Sequence, residues 1–401
     1  MDSIATLEGE QDLPPRFAAI FDILSNLKAG TLEFALPDGR VFRIDGAADG
    51  PHGRINVRNG EMFKRILRDG KTGFAEAYMD GWWDTPDLLA LLDVLIGVNR
   101  RVNAALGGLA MVRLWDRVQH WCRRNTKEQA RKNIARHYDL GNDFYRLWLD
   151  DSMTYSAALF DRGGDLETAQ ARKYEALCDS IALRQGDHVL EVGCGWGGFA
   201  EYAARRRGAR VKGLTISQKQ YDFARKRIFK AGLNERVEIV LQDYRDERGQ
   251  YDAIASVEMF EAVGEKYWPT YFCTLRRSLK PGARAALQVI TIREDMFDRY
   301  RRGVDFIQKH IFPGGMLPSP YVLDAMARQC GLKNLGSFEF GADYSRTLRH
   351  WHRRFNGAWG DIAALGFDDR FRRMWNYYLA SCAAAFKAGT TDVTQITFGR
   401  A

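Results

Sequence analysis

The sequence has no apolar run long enough to cross a bilayer. Its best candidate, Leu88 to Val98, is short and broken by Asp93, whereas a spanning helix needs roughly 20 apolar residues. A secretory leader is missing too. Asp2, Glu8, Glu10 and Asp12 precede any apolar stretch, and a leader opens on basic residues. Both absences point to a protein kept in the cytosol. Cysteine is sparse, six in 401 residues, at 122, 178, 194, 273, 330 and 382. No pair has metal-ligand spacing, and a reducing compartment keeps thiols reduced. The expectation is therefore six reduced thiols and no metal site. Internal repeats and low-complexity segments are absent as well.

What is present is ordinary for a globular protein. Hydrophobic residues make up 46% and charged residues 27%, and the length allows two or three domains. The net charge of +8 suits an anionic partner, either membrane or nucleic acid. Three textures follow one another. In residues 1–98, Leu32–Leu36 and Arg40–Ile44 alternate around the Pro37-Asp38-Gly39 turn, which predicts a β-hairpin. Helical patterns span Gly60–Gly70 and Thr85–Val98, the second opening on a Thr-Pro-Asp cap. Residues 99–136 form a basic amphipathic stretch with apolar residues every three or four positions, ten cationic side chains, Trp115 and Trp121. Two readings stand for it: an interfacial helix on anionic lipid, or a linker helix packed on protein. Residues 137–401 alternate strand-like runs (187–192, 210–214, 237–242, 251–256 and 285–292) with helical patterns, the mark of a parallel α/β sheet.

The sharpest local motif is Val189-Leu190-Glu191-Val192-Gly193-Cys194-Gly195-Trp196-Gly197-Gly198. An apolar strand feeds a glycine turn that lets the backbone approach a nucleotide closely. The next strand runs into Thr215, and Ser217 with Gln220 reads as a capping box. A dinucleotide enzyme would place an acid there, and none is present. The third strand ends on Asp243-Tyr244, an acid for the adenine amino group and a ring to cover the base. Glu191 suits a ligand carrying a sulfonium and an ammonium.

Several longer runs carry a family resemblance. They are His137-Tyr138-Asp139-Leu140-Gly141-Asn142-Asp143-Phe144, Met153-Thr154-Tyr155-Ser156, the glycine motif with Trp196, and Glu258-Met259-Phe260-Glu261-Ala262-Val263-Gly264. Ile311-Phe312-Pro313-Gly314-Gly315-Met316-Leu317-Pro318 and Gly341-Ala342-Asp343-Tyr344 complete the set. In this order they resemble the cyclopropane-fatty-acyl-phospholipid synthases and their mycolic-acid relatives. The resemblance implies a Rossmann-like class I methyltransferase domain over 137–401 and a smaller N-terminal α+β lipid-binding domain over 1–98. It implies S-adenosylmethionine held by Tyr155, Ser156, Glu191, Gly193, Cys194, Gly195, Trp196, Gly197, Thr215, Gln220, Asp243 and Tyr244. The implied acceptor is the double bond of an unsaturated phospholipid acyl chain. The implied setting is a homodimer, peripheral on the inner face of the membrane and without nucleic acid.

The resemblance also implies a reaction. The alkene takes the methyl group, a carbocation forms, and bicarbonate removes a proton as the ring closes. Its implied catalytic set here is Glu261, Tyr344, Gln288 and the Ile290 amide, with aromatic side chains such as Phe312, Tyr344, Trp351 and Phe355 lining the pocket. Two positions depart from the family pattern: Ala157 stands where a Cys is usual, and Gln288 where a His is usual. A Gln amide donates a hydrogen bond but cannot shuttle a proton. The departures weaken the expected bicarbonate site and leave methyl transfer standing. C-methylation without ring closure and a non-catalytic lipid-binding homologue remain the alternatives.

Overall fold

The structure, a computed structural model, describes residues 3–96, 129, 140–161 and 164–400. The basic stretch and the His137-Tyr138-Asp139 part of the family motif lie outside these residues. The described residues form two compact units. One comprises those within Met1–Gln119 together with Gly303–Ile311 and Trp359–Ala388, and the other holds the rest.

The first unit carries a four-stranded sheet ordered β2-β1-β3-β4, formed by Ala29–Ala35 (β1), Val41–Asp45 (β2), Ala48–Val57 (β3) and Trp83–Asp84 (β4). The predicted hairpin is the antiparallel β1–β2 pair. Its alternation buries Leu32, Phe34, Phe42 and Ile44. Phe17, from the helix Phe17–Leu24 (α1), packs its ring 5.0 Å from both Phe42 and Phe63. The helix predicted to stop at Gly70 runs as Glu61–Met79 (α2), with Gly70 at φ 62° and ψ −139°. Glycine tolerates that kink and the apolar pattern resumes beyond it, so the chain bends rather than stops. Asp87 caps the next helix, Leu88–Ile96 (α3), by accepting from the Ala90 N–H at 2.9 Å.

The unit is not confined to residues 1–98, as the sequence suggested. The helix Asp369–Lys387 belongs to it: Arg373 Nη2 donates to the Trp83 carbonyl at 2.6 Å, and Lys387 pairs with Asp93 at 2.6 Å. Lys309 and His310 meet Glu76, each at 2.9 Å. The apolar faces of α2 and α3 are thus completed by chain that is remote in sequence.

The second unit is built on a seven-stranded sheet ordered β10-β11-β9-β8-β5-β6-β7. Its strands are His188–Val192 (β5), Arg210–Thr215 (β6), Val237–Leu241 (β7), Tyr251–Val257 (β8), Leu279–Ile292 (β9), Leu332–Glu339 (β10) and Thr391–Arg400 (β11). β5 pairs in parallel with β6 and β8, while β11 runs antiparallel between β9 and β10. The five predicted strands are all present. The antiparallel end was not foreseen, because β10 is largely exposed and shows no alternation. Helices cover both faces over cores around Leu190, Phe272 and Leu287 and around Phe199, Val211 and Ile239. One cysteine expectation fails. Cys273 and Cys330, 57 residues apart, are joined in a disulfide, and only Cys178, Cys194 and Cys382 are free among the described residues. Folding brings their Cα atoms to 5.0 Å, within bonding range, a proximity that sequence spacing does not reveal.

Candidate active site

β5 lies inside the parallel part of the sheet, so the turn after Val192 opens at the carboxyl edge, where open α/β sheets bind ligands. Gly193, Gly195 and Gly197 take φ of 83°, 53° and 82°, values that side-chain-bearing residues rarely adopt. A Cβ at Gly193 would sit 2.5 Å from Met259 Cγ, whereas one at Gly195 would meet nothing within 4 Å. The loop is pinned by the Gly193 and Cys194 N–H groups, which donate to the Leu214 carbonyl at 3.0 and 2.8 Å. Trp196 Nε1 donates to Asn142 at 2.8 Å.

A cavity lies over this turn. Of the twelve residues expected to hold the cofactor, eleven line it: Tyr155, Ser156, Glu191, Gly193, Cys194, Gly195, Trp196, Thr215, Gln220, Asp243 and Tyr244. Gly197 stands outside the lining and caps the following helix. Ser217 caps the next helix by accepting from the Gln220 N–H at 3.3 Å. The other half of the predicted capping box differs: the Gln220 side chain accepts from the Thr215 hydroxyl at 2.9 Å. Asp243 is held from both sides of its carboxylate by Arg245, at 2.8 and 2.6 Å. Glu191 is only 2% exposed and its Oε2 has no hydrogen-bond partner. Burial pushes its carboxyl up to about 8. An orphaned buried carboxyl oxygen beside a glycine cradle fits a ligand that brings its own ammonium and sulfonium charges.

The expected catalytic set divides in two. The Ile290 N–H donates to Glu261. Tyr344 and Gln288 do not face Glu261. Tyr344 OH donates to Glu258 Oε2 at 2.8 Å, and Gln288 Nε2 donates to Glu258 Oε1 at 2.8 Å. The Ala157 N–H donates to the same Oε1 at 2.8 Å. Ala157 thus contributes through its backbone, which the change from Cys to Ala leaves untouched. Glu258 lines the cofactor cavity and takes φ 48°, a strained backbone for a non-glycine residue. Burial pushes its carboxyl up, and the charge of Lys173 is the largest opposing influence. Burial and the charge of Glu258 push Glu261 up to about 8. Both acids, three residues apart, are thus pushed up by burial, and they differ in their partners: Lys173 opposes the shift at Glu258, while the charge of Glu258 adds to it at Glu261.

Sequence reasoning missed Glu258 and Lys173. The available signal was the second acid in the Glu258-Met259-Phe260-Glu261 run, beside the two departures at Ala157 and Gln288. Of the aromatic rings, Tyr155 lines the cavity and packs behind it against Trp351 at 5.3 Å and Phe312 at 6.4 Å between centroids.

The strand order, the glycine turn and the cavity with its buried acids define a class I methyltransferase. Comparison with known proteins sharpens this. A family model described as mycolic acid cyclopropane synthetase matches residues 125–396. The chain is 41% identical over 360 residues to tuberculostearic acid methyltransferase UfaA1 of Mycobacterium tuberculosis, covering 84% of this chain and 81% of that protein. It is 37% identical over 395 residues to cyclopropane-fatty-acyl-phospholipid synthase of Escherichia coli, covering 92% of this chain and 96% of that one. The solved structure of mycolic acid cyclopropane synthase CmaA1 complexed with SAH and CTAB superposes with a TM-score of 0.64 at 29% identity, over 67% of this chain and 98% of that one. The chain belongs to the mycolic acid cyclopropane synthetase family of S-adenosylmethionine-dependent methyltransferases.

Proposed function

We propose that this enzyme methylates the double bond of an unsaturated fatty-acyl chain in membrane phospholipid, and that Glu258 accepts the proton that closes a cyclopropane ring. The observation that carries this reading is the convergence of Tyr344, Gln288 and the Ala157 N–H on the Glu258 carboxylate. Tyr344 and Gln288 belong to the set expected to hold bicarbonate, and Ala157 stands at the position where the family usually has a Cys. A side-chain carboxylate occupies the place of the soluble anion.

S-adenosylmethionine, when bound, supplies an electrophilic methyl carbon, and the residues around the Gly193–Gly198 turn would hold it. The chain's own groups do the rest. When the alkene π pair has formed the new carbon–carbon bond, the neighbouring acyl carbon is positive. Glu258 and the rings of Tyr155, Trp351 and Phe312 stabilise that charge by their negative faces and carboxylate. Loss of a proton from the added methyl group to Glu258 leaves an electron pair that forms the third ring bond. A second reading keeps the same base: a 1,2-hydride shift moves the positive charge onto the methyl-bearing carbon, and loss of a methyl proton to Glu258 then leaves the pair that forms a methylene double bond, without ring closure. The donor set that departs from the family pattern supports keeping it. The phospholipid acceptor calls for a peripheral enzyme on the inner, anionic face of the membrane, working as a homodimer. The net charge of +8 supports that setting, and no described helix is long and apolar enough to cross a membrane.

Glu258→Gln should cut turnover by about 10²–10⁴-fold, the usual worth of a general base, while S-adenosylhomocysteine binding persists. Wild-type turnover should be unchanged in carbonate-depleted buffer. Mass fragmentation of the lipid product separates ring from methylene. Full activity in Glu258→Gln, or strict bicarbonate dependence of the wild type, sinks this reading.

A further inference from the structure

The helix Leu166–Ser180 buries Leu166, Ala169, Gln170, Lys173, Tyr174 and Leu177 along one stripe. A lysine on such a stripe ordinarily extends its amine to water. Lys173 does not: it is 0% exposed. Among the described residues its ammonium has no carboxylate within ion-pair distance. It donates to Ser156 Oγ at 2.7 Å and to Gln170 Oε1 at 2.6 Å, and lies 4.5 Å from the Tyr174 ring centroid. A fully buried ammonium held by neutral groups is costly unless its charge is used nearby.

Two hydrogen-bonded paths lead from this lysine to the donors of Glu258. On one, Lys173 grips the Ser156 hydroxyl while Gln170 Nε2 donates to the Ser156 carbonyl at 3.0 Å. The next amide N–H, that of Ala157, is the one that donates to Glu258. On the other, Gln395 Nε2 donates to the Lys173 carbonyl at 3.2 Å and to Gln288 Oε1 at 3.1 Å. That bond turns the Gln288 amide so that its Nε2 faces Glu258. Gln170, Gln288 and Gln395 are each 2% exposed or less, so water does not offer competing partners.

We propose that Lys173 is a positioning residue that keeps Glu258 ionised and aimed, a reading that rests on Glu258 being the proton acceptor. The charge balance requires such a cation. Asp150 and Glu191, both 2% exposed, act on Lys173 alongside Glu258, and Glu261 lies close enough for its carboxyl to feel the Glu258 charge. Arg227 acts on Glu191 and Tyr174 rather than on Glu258, and Tyr344 faces Glu258 as a neutral donor. Among the described residues, Lys173 is the cation that acts on Glu258, and without it the crowd of acids favours protonation. Burial pushes Lys173 down to about 7, against the charges of Glu258, Asp150 and Glu191. The two groups are therefore linked in their protonation.

The test is the pH profile of kcat for the wild type, Lys173→Met and Lys173→Arg, with S-adenosylhomocysteine calorimetry as the check of folding. Lys173→Met should move the acid limb up by about one pH unit or more, a tenfold loss at fixed pH on that limb. Lys173→Arg should hold the limb near its wild-type position even if kcat falls. A purely structural lysine would lower the amplitude and leave the limb in place, and that result overturns the proposal. If Lys173→Met does not fold, the infrared difference between wild type and Glu258→Gln at pH 7 decides. An ionised carboxylate band supports the role of Lys173, and a protonated carboxyl band overturns it. Activity in Glu258→Gln refutes the acceptor reading itself. A dead Glu258→Gln with an unmoved limb in Lys173→Met refutes only the role of the lysine.

Discussion

Tyr344→Phe removes one oxygen from the site and nothing else. The ring stays, and with it the edge contact to Trp351 at 6.1 Å between centroids, so the fold should survive. What is lost is the O–H donation to Glu258 Oε2 at 2.8 Å. A hydrogen bond to an ionised group contributes about 1.5–3 kcal/mol, and one pKa unit corresponds to about 1.4 kcal/mol. The donor favours the charged form of Glu258, so its loss raises the carboxyl by about one to two units. Catalysis needs the ionised form, so activity disappears as pH falls through that raised value. The acid limb of kcat should therefore move to higher pH by about one to two units. Turnover on the limb should fall by about 10–100-fold at fixed pH and recover as pH rises. The assay is methyl transfer from radiolabelled S-adenosylmethionine to unsaturated phospholipid vesicles across a pH series. A limb that stays in place, or a loss that alkaline pH does not relieve, refutes the role given to Tyr344 and Glu258.

Other consequences are simpler. Gly195→Val should abolish cofactor binding measured by calorimetry, because φ 53° is strained for valine and its side chain would project into open space beside the cradle. Wild-type affinity in that variant would put the cofactor elsewhere. Glu76→Gln should destabilise the first unit by about 2–4 kcal/mol, since it leaves Arg65, Lys309 and His310 around a neutral amide. Burial alone would raise the Glu76 carboxyl, but the bonds from His310, Lys309 and Arg65 outweigh it and hold the group well below the usual carboxylate range. A depressed carboxyl contributes stability above its unfolded value and loses it as pH falls. Melting curves of wild type and Glu76→Gln should therefore converge in acid, and a gap that persists there contradicts the assignment.

The sequence conveyed what depends on local pattern. Alternation marked β1 and β2, and glycines at strand ends marked the cofactor turn, because each signal lies within about ten residues. It did not convey the helix Asp369–Lys387 as part of the first unit, the Cys273–Cys330 bond, or β10 and β11 at the antiparallel end. Each of those depends on partners remote along the chain. The grouping of the expected catalytic residues was hidden for a subtler reason. Motif matching compares side chains position by position, so Ala157 counted as a lost polar group and Gln288 as a weakened one. The Ala157 N–H is indifferent to that substitution, and Gln288 donates to a carboxylate that matching did not weigh. Read as a set, Ala157, Gln288 and Glu258 are one exchange rather than two losses. On the proposed reading, a carboxylate fixed to the chain takes over the work of a diffusible anion, gripped by Tyr344, Gln288 and the Ala157 N–H. An acid added three residues from a known one carries no such meaning by itself. It acquires one on the proposed reading, where the fold turns Glu258 to the cofactor cavity and buries Lys173 near enough for its charge to act on that carboxyl.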